Sequence, residues 1–196
     1  MLEKRQAFTF VWGFSPNDTP SLKPCTPVNI TVGRDAQNGS TQPSVPPYTI
    51  IAYPDQGVPT VDLLGNGPDL VWTPRIPAGR SVLLTVVDAV GTSGGVAQQM
   101  YTVGSSVSDA CLPPAPNNDL RATIDGVSGT LNTCDTLPIR IQGGTKPYTV
   151  TIARTNASNT VNVTLSASND YLQWISRSDP NQSLIAAVSD RSVLLV

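Results

Sequence analysis

Three cysteines, Cys25, Cys111 and Cys134, and six Asn-x-Ser/Thr sequons, at Asn17, Asn29, Asn38, Asn156, Asn162 and Asn181, carry the most recognisable chemistry of this 196-residue chain. Cysteines can be oxidised to disulfides, and sequon asparagines can accept N-linked glycan. No Cys-x-x-Cys pair occurs, and there is no histidine. The cysteines therefore fit an oxidising compartment better than thiol or metal chemistry. Without histidine, neither a Ser-His-Asp nor a Cys-His arrangement can be built. Glycoside hydrolysis would need two carboxylates facing each other across a cleft, and few acids lie at strand ends where such a pair could form. The sequence thus reads as non-enzymatic, with no cofactor and no metal expected.

Cys25 and Cys111 bracket the first half of the chain, and a bridge between them is the leading pairing. Cys111–Cys134, or an intermolecular bridge through Cys134, are the alternatives, because spacing does not fix connectivity. Trp12 and Tyr53 are the candidates for stacking on a sugar ring. Trp72 and Trp174 recur at equivalent places, which points to packing. Asp88 and Asp190 end equivalent segments and read as acceptors for nearby turn N–H groups, with calcium ligation as the competing reading.

These residues sit on a repeat. Cys25, Pro47-Tyr48-Thr49-Ile50, Leu70-Val71-Trp72 and Ser81–Asp88 are answered in order by Cys134, Pro147-Tyr148-Thr149-Val150, Leu172-Gln173-Trp174 and Ser183–Asp190. Trp to Asp is 16 residues in both copies. A repeat of about 100 residues is a whole domain, not a solenoid unit. The expected organisation is a remnant over 1–5, a domain over 6–111, a proline-rich linker over 112–118 and a second domain over 119–196. The second copy reads as incomplete, because 23 residues separate Asp88 from Cys111 whereas six follow Asp190.

Period-two alternation marks strands at 7–12, 28–32 and 48–53, a nearly continuous apolar run with β-branched residues marks one at 82–87, 99–103 closes the first domain, and 137–141, 148–152, 160–165, 171–175 and 184–188 repeat the scheme. Pro and Gly, 18 and 15 of them, punctuate these runs as turns. Gly91-Thr92-Ser93-Gly94-Gly95 reads as a flexible loop, and the stiff Cys111–Asn118 segment predicts two domains standing in a rod. Short, closely spaced strands predict an all-β chain of two tandem immunoglobulin-like antiparallel β-sandwiches, the second lacking its last strand.

Composition agrees. Charged residues are 13% of the chain, and 12 basic residues stand against 14 acidic ones. That argues against the clustered basic surface nucleic acid requires. No apolar run is long enough to span a membrane. Met1–Gln6 has no hydrophobic h-region, and Lys4-Arg5 reads as a dibasic processing site that leaves Gln6 as the mature start.

Phe8-Thr9-Phe10-Val11-Trp12, the Pro-Tyr-Thr strand, and the run from Val86 through Asp88 and Gly94-Gly95 to Tyr101-Thr102-Val103-Gly104-Ser105-Ser106 and Cys111 resemble one group. It comprises tandem immunoglobulin-like extracellular modules of secreted and cell-surface proteins in basidiomycete, mushroom-forming fungi. The resemblance covers most of 6–111 and, more weakly, 119–190. It implies no catalytic residues. In the second copy Ser189-Asp190-Arg191-Ser192 stands where the Gly-Gly loop would begin.

The functional expectation is a secreted or cell-surface structural or adhesion protein. A sandwich short of its last strand exposes an edge that another chain could fill. Phe8, Phe10 and Trp12 would form the donor strand, and head-to-tail donation would build a filament. The alternative is a carbohydrate-binding module acting on cell-wall glycan. Expected partners are copies of this chain, cell-wall glycan or a surface protein, with no nucleic acid and no membrane insertion.

Overall fold

Backbone polar groups in a chain with this alternation are satisfied by antiparallel pairing, which leaves one face of each strand for a core. The computed structural model, which describes residues 10–15, 21–34, 44–114, 119–126, 131–179 and 181–191, is all-β, with no helix among them. The first half holds β1 (Phe10–Phe14), β2 (Val28–Arg34), β3 (Tyr48–Pro54), β4 (Thr60–Gly65), β5 (Asp69–Trp72), β6 (Ser81–Val87), β7 (Ser93–Val96) and β8 (Tyr101–Thr102). The second holds β9 (Arg121–Ile124), β10 (Thr136–Gln142), β11 (Thr149–Arg154), β12 (Val161–Thr164), β13 (Tyr171–Ile175) and β14 (Leu184–Ser189).

In the first half one sheet runs β1-β2-β5 and the other β4-β3-β6-β7, with β8 continuing along the β6 edge beyond β7. In the second half the sheets run β9-β10-β13 and β12-β11-β14. The repeat seen in sequence is therefore a repeat of topology, with β1 to β6 answered by β9 to β14. Phe10, Ile30, Ile50, Leu70, Trp72 and Leu84 fill the first sandwich. Leu137, Ile139, Ile141, Tyr148, Val150 and Ile152 fill the second. Among the described residues β14 pairs with β11 alone, where β6 carries β7 and β8 on its other edge.

Four of these strands, β4, β5, β7 and β9, lie outside the runs read from the sequence. β4 is half-buried except at the exposed Leu63, and β9 is exposed at every position, so neither shows a clean alternation. The glycine segment also differs from expectation. Gly94 and Gly95 are buried in β7, and only the stretch before Ser93 turns. A Cβ at Gly94 would run into the Phe10 ring, so glycine serves close approach there rather than flexibility.

The rod is corrected as well. The residues of β3 and β6 that point away from their own core include Tyr53, Leu83 and Thr85, and all are buried. Their counterparts on β11 and β14 are Ala153, Ile185 and Ala187, also buried, and these three join the apolar cluster of the first domain. The two domains thus pack sheet against sheet, with large side chains on one face and mainly small ones on the other. The β11–β12 turn locks onto β7: the Asn156 N–H donates to the Ala97 carbonyl at 2.9 Å, and the Val96 N–H donates to the Ala157 carbonyl at 2.8 Å. An apolar outer sheet face has to be covered, and each domain covers the other's. Linker residues 115–118 lie outside the described ones.

Candidate functional site

Cys25 and Cys111 form a disulfide, with Cα atoms 5.4 Å apart, and Cys134 is free and exposed. Cys25 and Cys134 nevertheless share a local structure. Both adopt left-handed backbone, with φ of 57° and 71°. Both donate their N–H across to the residue two beyond the repeated tryptophan, Pro74 at 3.0 Å and Ser176 at 2.8 Å.

The repeated aspartates are also equivalent. The Asp88 carboxylate accepts N–H groups from Val45 at 3.0 Å, Val90 at 3.1 Å and Thr92 at 2.8 Å. The Asp190 carboxylate accepts the Thr145 N–H at 2.7 Å. Val45 and Thr145 each precede a repeated tyrosine by three residues, across a cis X-Pro bond in both copies. Each aspartate therefore ties the end of its strand to the loop that starts the neighbouring one. Asp119 is held below the usual carboxylate range, first by the Gly144 N–H on its carboxylate. Among the described residues no group of His, Cys, Asp and Glu is placed to hold a metal ion.

Gly91-Thr92-Ser93-Gly94-Gly95 has the Gly-x-Ser-x-Gly spacing of a nucleophile elbow. Its surroundings are those of a strand. Ser93 lies on β7 and its hydroxyl accepts the Gly95 N–H at 3.0 Å. The chain offers no histidine to activate it.

Of the sugar-stacking candidates, Tyr53 is corrected. It is 3% exposed, in the domain interface, and cannot meet a ligand. Burial raises its hydroxyl above the usual tyrosine range, while a hydrogen bond with Thr160 pulls the other way. Trp72 is buried and its indole N–H donates to Asp62 at 3.0 Å. Trp174 is half-buried against the second core. The donor-strand expectation is corrected too. β1 pairs along its length with β2 in its own domain, and Phe10 is fully buried in its own core. Phe8 lies outside the described residues.

Trp12 is half-buried and lines a cleft of about 410 Å³ where the two domains meet. Trp12 and Tyr101 from the first domain, Gln98 and Gln99 from the segment between β7 and β8, and Asn156 from the β11–β12 turn line it. The indole N–H of Trp12 donates to the Gly95 carbonyl at 2.8 Å, which fixes the ring. Phe14 packs edge-on between Trp12 and Tyr101, with centroids 6.3 Å and 5.2 Å away. Burial raises the Tyr101 hydroxyl above its usual range. No charged side chain lines the cleft. Such a wall of aromatic faces and amides suits a neutral, hydroxyl-rich ligand. Sequence reasoning found Trp12 and, as a sequon, Asn156. It missed Tyr101, Gln98 and Gln99, because nothing local signals that they converge with residues so far away in the chain.

Of the sequons, Asn29, Asn156, Asn162 and Asn181 are exposed, whereas Asn17 and Asn38 lie outside the described residues. No helix among the described residues is long and apolar enough to cross a membrane. No protein-family model matches this chain, and no curated protein matches it.

Proposed function

We propose that this is a non-enzymatic extracellular structural or adhesion protein made of two immunoglobulin-like modules, as its resemblance to fungal secreted and cell-surface modules implies. The observation that carries the reading is the buried sheet-on-sheet contact between the two copies, centred on Tyr53, Leu83, Ala153 and Ile185. Domains joined only by a linker move independently, whereas an apolar interface fixes their relative orientation. A fixed pair presents loops and strand faces in one geometry, which suits recognition at a surface and transmission of load. The Cys25–Cys111 bridge and the exposed sequons support a secreted setting. The strand order β1-β2-β5 opposite β4-β3-β6-β7 supports the immunoglobulin-like assignment.

Self-association by donation of the first strand is not part of this reading, because Phe10 would have to leave its own core. A carbohydrate-binding module would have to rely on Trp12 and its cleft, since Tyr53 and Trp72 are covered. The test is to couple the oxidised, glycosylated chain to beads and follow clustering, alone and with fungal cell-wall fragments. Adhesion of beads to each other or to the fragments is the expected result. Beads that stay dispersed in both conditions overturn the reading.

A further inference from the structure

The inter-domain cleft has an occupant of matching chemistry within reach on its own rim. We propose that Asn156 carries an N-linked glycan whose first sugar packs into the cleft against Trp12 and Tyr101, bridging the two domains. This rests on the extracellular reading above and singles out one sequon by its position.

Asn156-Ala157-Ser158 is a sequon at the β11–β12 turn, and Asn156 alone among the described sequon asparagines lines the cleft. Its backbone is fixed. Asn156 is left-handed, with φ of 58°, and its N–H is held by the Ala97 carbonyl, so the exposed side chain is the part left to reach outward. Trp12 is anchored just before Ala97 in the chain, through the carbonyl of Gly95 on β7. Gly95 and Ala97 are two residues apart, so the two anchor points are separated by about 7 Å of extended chain. That is a gap one pyranose attached to Asn156 can cross.

The chemistry matches. The apolar face of an N-acetylhexosamine lies on an aromatic ring, and its hydroxyl and acetamide groups pair with amides. Trp12 and Tyr101 supply the rings, braced by Phe14, and the exposed Gln98 and Gln99 supply amides. The sugar is neutral, and so is the lining. Because Asn156 belongs to the second domain while Trp12 and Tyr101 belong to the first, a sugar seated there adds a contact across the interface. Being covalently attached, it needs no affinity of its own to stay.

The test uses the full chain secreted from a eukaryotic host, with glycopeptide mass spectrometry at each sequon. Asn156 is expected to be occupied. Enzymatic trimming to the first N-acetylglucosamine should leave the thermal midpoint unchanged. Complete removal should lower it by about 2–4 °C and speed amide exchange over 95–101. Asn156→Gln and, independently, Ser158→Ala should abolish that response, with the glycans at other sequons still removable. A bare Asn156 beside an occupied Asn162 overturns the proposal while leaving the extracellular reading intact. An occupied Asn156 whose removal changes neither midpoint nor exchange also overturns it. So does binding of added chitobiose to the glycosylated chain at Trp12, which would show the cleft open to an outside sugar. Empty sequons throughout, with Cys25 and Cys111 reduced, would bring down both readings.

Discussion

Tyr53 of the first domain is hydrogen-bonded through its side chain to Thr160 of the second, inside an interface that leaves the tyrosine 3% exposed. In the repeat, Tyr53 corresponds to Ala153, and the two lie on the facing outer sheets of the pair. A large residue on one copy and a small one on the other lets two similar surfaces interlock.

Tyr53→Ala should therefore cost about 3–5 kcal/mol, as for other buried aromatic truncations. It should also split a single calorimetric transition into two, because it removes the largest side chain of the domain contact. Tyr53→Phe keeps the ring and should cost about 1 kcal/mol through the lost hydrogen bond. Differential scanning calorimetry of the three chains checks both.

The same tyrosine sets an alkaline limit. Its folded pKa is raised from 10.0 by burial, so the unfolded chain gives up this proton at lower pH than the folded one. The stabilisation is fully present below pH 10 and is lost as pH climbs through the folded value. Urea midpoints should fall above pH 10, and part of that fall should disappear in Tyr53→Phe. A wild-type profile that stays flat would be inconsistent with a buried phenol at this position.

Asp88→Ala strands three N–H donors and should destabilise the first domain by about 2–3 kcal/mol. Asp190→Ala releases Thr145 from the equivalent tie and should loosen the second domain by a similar mechanism. Hydrogen exchange at Val45 and Thr145, read by mass spectrometry of peptides covering each, separates the two: each variant should deprotect its own loop.

Reduction of Cys25–Cys111 opens a loop spanning a sequence separation of 86 and should cost about 4.5 kcal/mol in the chain-entropy account. Thiol titration should find one reactive group, Cys134, in the folded oxidised chain, since that residue is exposed. Cys134→Ser should leave the denaturation midpoint unchanged.

Gly94→Ala should destabilise by about 1–3 kcal/mol, because its methyl group would be driven into the fully buried Phe10 ring. Phe10→Leu in the same chain should recover part of the loss, a coupling that a double-mutant cycle measures directly. No coupling would mean that β1 is not seated against β7 as described.

The sequence alone determined the all-β class and the two-fold repeat, down to the equivalence of Trp72 with Trp174 and of Asp88 with Asp190. Those features are local: alternation with period two, prolines and glycines between runs, and order along the chain. Pairing Cys25 with Cys111 was legible as a bracket around one copy, although Cys134 left alternatives that only proximity could remove. What the tertiary structure decided is what faces what. Tyr53 looked like an exposed aromatic, because alternation says which residues share a face but not what covers it. Ala153 and Ile185 cover it, from a hundred residues away. The Gly94-Gly95 segment looked like a loop because glycine without context signals freedom, and Phe10 lying across it makes it a strand. The cleft is the extreme case. Trp12, Tyr101 and Asn156 come from distant strands and turns of both domains, and only packing of the two sheets brings them to one wall.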